Sequence, residues 1–189
     1  MTFCSASITR FAFAGHILAK SDFEALFRIH TTTGQYQIHC PALTDEPAKG
    51  TIYFLHGNAQ NVSAHILNAA WLPEQGYQVL MLDYRGYGLS EGKPRLPEVY
   101  QDIDAAFVWL EQAPQVQGAP LFLLGQSLGG ALAVHYLAEH PERQSTLQAI
   151  ALDGVPASYR DVARHALSKS WLTWPLQVPL SWLVPDGDS

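Results

Sequence analysis

Apolar residues in this chain fall into short unbroken runs separated by longer stretches of helical spacing. Thr51-Ile-Tyr-Phe-Leu-His56, Tyr77-Gln-Val-Leu-Met-Leu82, Pro120-Leu-Phe-Leu-Leu124 and Leu147-Gln-Ala-Ile-Ala-Leu152 are each of strand length. A strand wet on one face would alternate apolar and polar residues, so runs like these suit a sheet covered on both faces. Between them, Val62 to Glu74 sets Ile66, Leu67, Ala70 and Trp71 at helical intervals, with Pro73 and Gly76 marking the end. Glu98 to Gln112 repeats Val99, Ile103, Ala106, Phe107 and Leu110 every three or four residues, one face of a helix against a sheet. A third helix follows Ser127, runs to Glu139 or His140, and is stopped by Pro141. Strands alternating with helices of this length predict a doubly wound α/β fold with a mostly parallel sheet. Right-handed crossovers put the loops after Leu55, Leu82, Leu124 and Leu152 on one edge, where such sheets bind ligands.

The ends of the chain read differently. Phe23 to His30 and Gln35 to Cys40 predict an N-terminal antiparallel hairpin, with Gly34 supplying the turn. Residues 1–22 form a poorly defined segment with no evident strand or helix. Its apolar stretch Phe11–Ala19 is short and contains His16, a poor signal peptide, and stands as a degraded or missing leader at most. Residues 23–189 make one domain. After Asp153 a helix is expected within Ser158–Leu167. Trp171 to Val184 is rich in Trp and Pro, and its three Trp call for a surface to cover them.

Composition narrows the partners. With 11 Lys plus Arg against 17 Asp plus Glu the net charge is -6, and there is no basic stripe, so nucleic acid is excluded as a partner. Two Cys and eight scattered His show no ligand spacing, so neither a metal nor a cofactor is expected. No apolar run approaches the ~20 residues of a membrane span. The compartment stays open, the cytoplasm slightly favoured.

Candidate chemistry centres on Gly125-Gln-Ser127-Leu-Gly129, placed between a buried-type strand and a helix. In G-x-S-x-G form this is a nucleophile elbow, a sharp strand-to-helix turn that exposes a serine hydroxyl. Side chains at Gly125 and Gly129 would collide where strand and helix fold back on each other. A neutral hydroxyl needs a base within hydrogen-bond reach. His135 lies two turns along the following helix, ~12 Å away by the rise per residue, and His140 farther. His165 is a candidate base if its helix folds back over the strand ends. His56 reads as a packing and loop-ordering residue. Asp153, ending the strand next to the serine's, is either the orienting acid or a turn-capping Asp before Gly154. Asp83 is read as tying the Tyr84-Arg85-Gly86 turn, with Arg85 a structural donor.

Together, His56-Gly-Asn-Ala-Gln-Asn61, Asp83-Tyr-Arg-Gly-Tyr-Gly88 and Gly125-Gln-Ser-Leu-Gly129 resemble the α/β-hydrolase superfamily. The branch they are most similar to holds the bacterial Bem46-like hydrolases, related to serine aminopeptidases and monoacylglycerol lipases. The resemblance implies that Ser127 is the nucleophile and that the amides of Asn58 and Leu128 form the oxyanion hole. Triad order in this fold is Ser, then Asp or Glu, then His. No His follows His165, so the resemblance implies that the last strands are missing by C-terminal truncation and that turnover is very weak or absent. Two readings stand: a serine hydrolase of esterase, lipase or peptidase type acting on a small ester, acyl or peptide substrate, or a non-catalytic hydrolase-fold fragment, a binding or structural module or a decayed gene's product. An uncovered sheet edge implies self-association.

Overall fold

The computed structural model describes residues 11–13, 16–18, 28–32, 34–58 and 60–155. Its sheet is built from β3 (Arg28–Thr32), β4 (Gln35–Cys40), β5 (Gly50–Leu55), β6 (Tyr77–Leu82), β7 (Leu121–Gln126) and β8 (Leu147–Asp153) in the order β3-β4-β6-β5-β7-β8. β6, β5, β7 and β8 run parallel, while β3 and β4 are antiparallel to each other and β4 antiparallel to β6. From β5 the chain winds first to β6 and later to β7 on the other side. The point where winding reverses, between β5 and β7, leaves a crevice at the carboxyl ends of both strands.

Over its central strands β5 and β6 the sheet is covered on both faces, as their unbroken apolar runs require, whereas β8, expected to be a strand of the same kind, is exposed from Gln148 to Asp153. Tyr53, Leu55, Leu80, Leu82 and Leu123 point to one face and pack on α2 (Val99–Gln112) and α3 (Leu128–Glu139). Ile52, Phe54, Val79 and Met81, one residue out of phase, point to the other face and pack on Val62, Ile66 and Ala69 of α1 (Val62–Ala69). Burial on this face also pushes the Cys40 thiol up from its ordinary range.

Several details depart from the sequence expectations. The first helix stops at Ala69, and Pro73–Gln75 is a separate 3-10 turn closed by left-handed Gly76. Leu67 and Trp71, part of the helical spacing read from the sequence, are exposed, because Val62, Ile66 and Ala69 make the buried stripe. In the hairpin, β3 is Arg28–Thr32, with Thr32 opposite Gln35 and Gly34 at φ 85°; residues 23–27 lie outside the described set. Pro141 does not merely stop α3. It is the first residue of α4 (Pro141–Thr146), where its missing N–H costs nothing. Within the N-terminal segment, where no strand was expected, β1 (Phe11–Phe13) and β2 (His16–Leu18) pair antiparallel. The Trp-rich stretch 171–184 and the expected helix 158–167 lie outside the described residues.

Candidate active site

Ser127 follows β7 directly and precedes α3, so the chain reverses within one residue. Its backbone sits at φ 50° and ψ -115°, where non-glycine residues are rarely found and cost energy unless the surroundings hold them. The holding is visible. The Ser127 N–H donates to the Asp153 carbonyl at 2.8 Å, continuing the β7–β8 ladder past the strand end. A Cβ on Gly125 would lie 2.6 Å from Gly130 Cα, and one on Gly129 would enter the Leu55 carbonyl. These glycines are required by close backbone approach, and they let α3 start hard against the ends of β5 and β7.

A cleft of about 460 Å³ opens here, lined by Gly57, Asn58, His65, Gln126, Ser127 and Asp153, with Gly154 beside them. Asn58 comes from the loop after β5. Leu128 is the first residue of α3, among the first N–H groups of a helix that have no partner inside it. Ser127 and Asp153, read from strand ends, and Asn58, implied by the resemblance, thus share one cleft. Among the described residues the Ser127 hydroxyl has no hydrogen-bond partner. His165 lies outside the described residues. His140 stacks on Tyr136 and contacts Glu142 at 3.0 Å, at the far end of α3 from Ser127.

The loop after β5 is fastened at each of its first three residues, His56, Gly57 and Asn58. Tyr84, fully buried, donates its hydroxyl to the His56 carbonyl at 3.0 Å. His56, also fully buried, places Nδ1 2.8 Å from the Gly57 carbonyl, and because a carbonyl only accepts, Nδ1 carries the proton. Tyr87 donates its hydroxyl to Asn58 Oδ1 at 2.5 Å. Burial pushes the Tyr87 phenol above its ordinary range, which keeps it a donor. His56 Nε2 lies 3.3 Å from Asp83 Oδ1 but off a hydrogen-bonding direction, and has no other partner. Asp83 Oδ1 itself accepts the Val62 N–H at 2.7 Å. The Asp83 side chain therefore caps α1, which corrects the expectation that it ties the turn behind it. Arg85 is a structural donor as expected, paired with buried Asp102 through Nε at 3.0 Å and a terminal nitrogen at 2.7 Å.

Two cleft residues were not singled out from sequence. His65 reaches the cleft from the first turns of α1 and stacks on His56, ring centroids 5.0 Å apart. Its signal was position: a polar residue just after the cap at Asn61 faces back over the loop that precedes the helix. Gln126 bridges the cleft floor, accepting from Asn68 Nδ2 at 2.9 Å and donating to Asp153 Oδ2 at 3.0 Å. No sequence pattern marks such a bridge. Among the described residues no group of three or more His, Cys, Asp or Glu is arranged to hold a metal ion.

Comparison with known proteins agrees with this fold. The family model described as serine aminopeptidase, S33, matches residues 46–184. The uncharacterized protein YfhR of Salmonella typhi is 37% identical over 132 residues, which are 66% of this chain and 45% of that protein. The chain thus spans less than half the length of this relative. Among solved structures, a soluble variant of monoglyceride lipase from Saccharomyces cerevisiae superposes with TM-score 0.60 at 18% identity, covering 75% of this chain and 51% of that one. The Pyrococcus furiosus esterase Pf2001 gives TM-score 0.60 at 21% identity over 83% of this chain and 61% of that one. These two likenesses are of fold.

Proposed function

The chain belongs to the serine aminopeptidase S33 family within the α/β-hydrolase superfamily, and from that premise we propose that it performs acyl transfer through Ser127 on a small ester, acyl or peptide substrate. The observation that carries the reading is the Ser127 backbone at φ 50°, held in a cleft between the carboxyl ends of β5 and β7. A serine placed in this way, on a turn that three close-packed glycines permit, is a nucleophile elbow. The Ser127 oxygen attacks the substrate's carbonyl carbon, and the carbonyl π bond opens to an oxyanion. The N–H groups of Asn58 and Leu128 receive that charge, and collapse of the intermediate expels the alcohol or amine.

The attack also needs an acceptor for the hydroxyl proton. Asp153, whose carboxylate reaches the cleft, is either the orienting acid or only a backbone anchor for Ser127, and His165 is the candidate base carried from the sequence. With the Ser127 hydroxyl unpartnered among the described residues, we expect acylation to be slow and steady turnover slower still. The hole and binding alone leave roughly 10³-fold acceleration over water. Among the described residues β8 is the sheet's edge, with Ile150 and Leu152 exposed, and is the part of the surface through which two copies would associate.

The test is covalent trapping. A fluorophosphonate should label the folded chain at Ser127, and Ser127→Ala should abolish labelling. Folded protein that takes no label would favour the second reading, a hydrolase-fold binding module without chemistry.

A further inference from the structure

A peptide unit is planar and trans, so its C=O and N–H point in opposite directions. The Gly57 carbonyl and the Asn58 N–H belong to one such unit. The Gly57 carbonyl is bound on the buried side by His56 Nδ1–H at 2.8 Å, and the His56 ring is fully buried. The Asn58 N–H therefore points the other way, to the side on which Gly57 and Asn58 line the cleft with Ser127.

We propose that His56 is a positioning residue for anion binding: through the Gly57 carbonyl it aims the Asn58 N–H at the oxygen that becomes negative when Ser127 attacks. The proposal rests on the acyl-transfer reading above and adds a residue that touches neither substrate nor Ser127. Three observations support it beyond the single bond. The preceding peptide is fixed as well, by Tyr84 Oη on the His56 carbonyl at 3.0 Å, so the unit cannot swing as a pair. The ring cannot slide, being stacked on His65 at 5.0 Å between centroids, tilted against Tyr84 at 4.5 Å and edged by Tyr87 at 5.6 Å. Finally, a hydrogen bond on a carbonyl polarises the N–H at the other end of the same amide, so the bond from Nδ1 strengthens the donor as well as aiming it.

The experiment measures labelling rates at Ser127 with two probes, a fluorophosphonate and its thiophosphonate analogue, in which sulfur replaces the phosphoryl oxygen. Sulfur is the poorer hydrogen-bond acceptor, so the hole is worth less to the second probe. His56→Leu removes the donor at similar volume; His56→Asn restores it, because Asn Nδ2 falls where His Nδ1 stood. Losing a well-aimed oxyanion donor costs about 10²- to 10³-fold, and loosening one should cost about 10- to 100-fold. We expect that loss for His56→Leu with the fluorophosphonate, a much smaller loss with the thiophosphonate, and recovery to within a few-fold in His56→Asn. A folded His56→Leu chain labelled at the wild-type rate would overturn the proposal, as would equal slowing of both probes with no rescue by Asn. If His56→Leu does not fold, as judged by near-ultraviolet circular dichroism, Tyr84→Phe takes its place and should show the same oxygen-over-sulfur bias at smaller amplitude. Wild-type protein that takes neither probe would instead sink the acyl-transfer reading, and this proposal with it.

Discussion

The two walls of the Ser127 cleft are built in contrasting ways. On the β5 wall, residues 56–58 are fastened by Tyr84, His56 and Tyr87 in turn, and His56 and Tyr84 are completely buried. On the β8 wall, Asp153 and Gly154 are exposed, and among the described residues the Asp153 carboxylate is held by one neutral amide, Gln126 Nε2. Buried hydrogen bonds act in a low dielectric and fix one geometry, whereas an exposed one competes with water. The wall proposed to meet developing negative charge is thus preorganised. The wall that would orient a proton carrier is not. Electrostatic preorganisation is usually the largest single contribution to acyl-transfer catalysis, so the braced wall is where substitutions should be felt most.

The sharpest break is expected where the braced wall meets α3. A Cβ on Gly129 would enter the Leu55 carbonyl and come within 2.6 Å of the His56 carbonyl oxygen, both backbone atoms of the central strand end. Neither can retreat without unpairing β5. Gly129→Ala should therefore cost about 3 kcal/mol or more, at the upper end of overpacking penalties, and chemical denaturation read by circular dichroism will show it as a lowered midpoint. A midpoint unchanged from wild type would mean that helix and strand are less tightly apposed than the geometry says.

Gly57 on the same wall separates space from stability. Its backbone is not in the left-handed region, and a Cβ there would meet Ser127 Cβ and His65 Cε1 at 3.5 Å each, ordinary contact distances. Alanine should fold as well as glycine, within about 0.5 kcal/mol. The methyl group would nevertheless sit between Ser127 and His65, in the space a reacting carbonyl needs. Displacements of about 1 Å at a reacting centre cost up to ~10²-fold, so Gly57→Ala should slow Ser127 labelling about tenfold or more at an unchanged melting temperature. A wild-type rate would show that substrate approaches from elsewhere.

How far the sequence discloses these walls depends on whether a feature is local. Strands β5 and β6 were plain because both faces are buried, and no competing period exists for such a run. The first helix was placed but its buried face was not read: Ile66, Leu67, Ala70 and Trp71 satisfy helical spacing as well as Val62, Ile66 and Ala69 do. Only the sheet decides between the two stripes, and it buries the second. β1 and β2, three residues each, are too short to show a period at all. At the cleft, Ser127 and Asp153 were read from strand ends, while Asn58 and Leu128 entered only through the family resemblance; Ser127, Asn58 and Asp153 do line one cleft. The Tyr84 bond to His56 spans 28 residues, and the Gln126 bond to Asp153 spans 27. Contacts of that kind come from the pairing of elements and leave no trace in local spacing.

The weakest effect should come from the open wall, at Asp153. What this residue gives Ser127 is its backbone: the carbonyl that accepts the Ser127 N–H at 2.8 Å survives any side-chain change. The carboxylate's one described partner is Gln126 Nε2, and Asn retains an acceptor for it. Exposed substitutions of this type usually move stability by less than about 0.5 kcal/mol. Asp153→Asn should therefore label with fluorophosphonate within about threefold of wild type and melt at the same temperature. An orienting acid behaves differently, since exchanging it for its amide costs roughly 10⁴-fold in a working triad by imposing the wrong tautomer on the base. A loss on that scale in ester turnover, at an unchanged melting temperature, would move Asp153 from backbone anchor to catalytic acid and make the unbraced wall the limiting one.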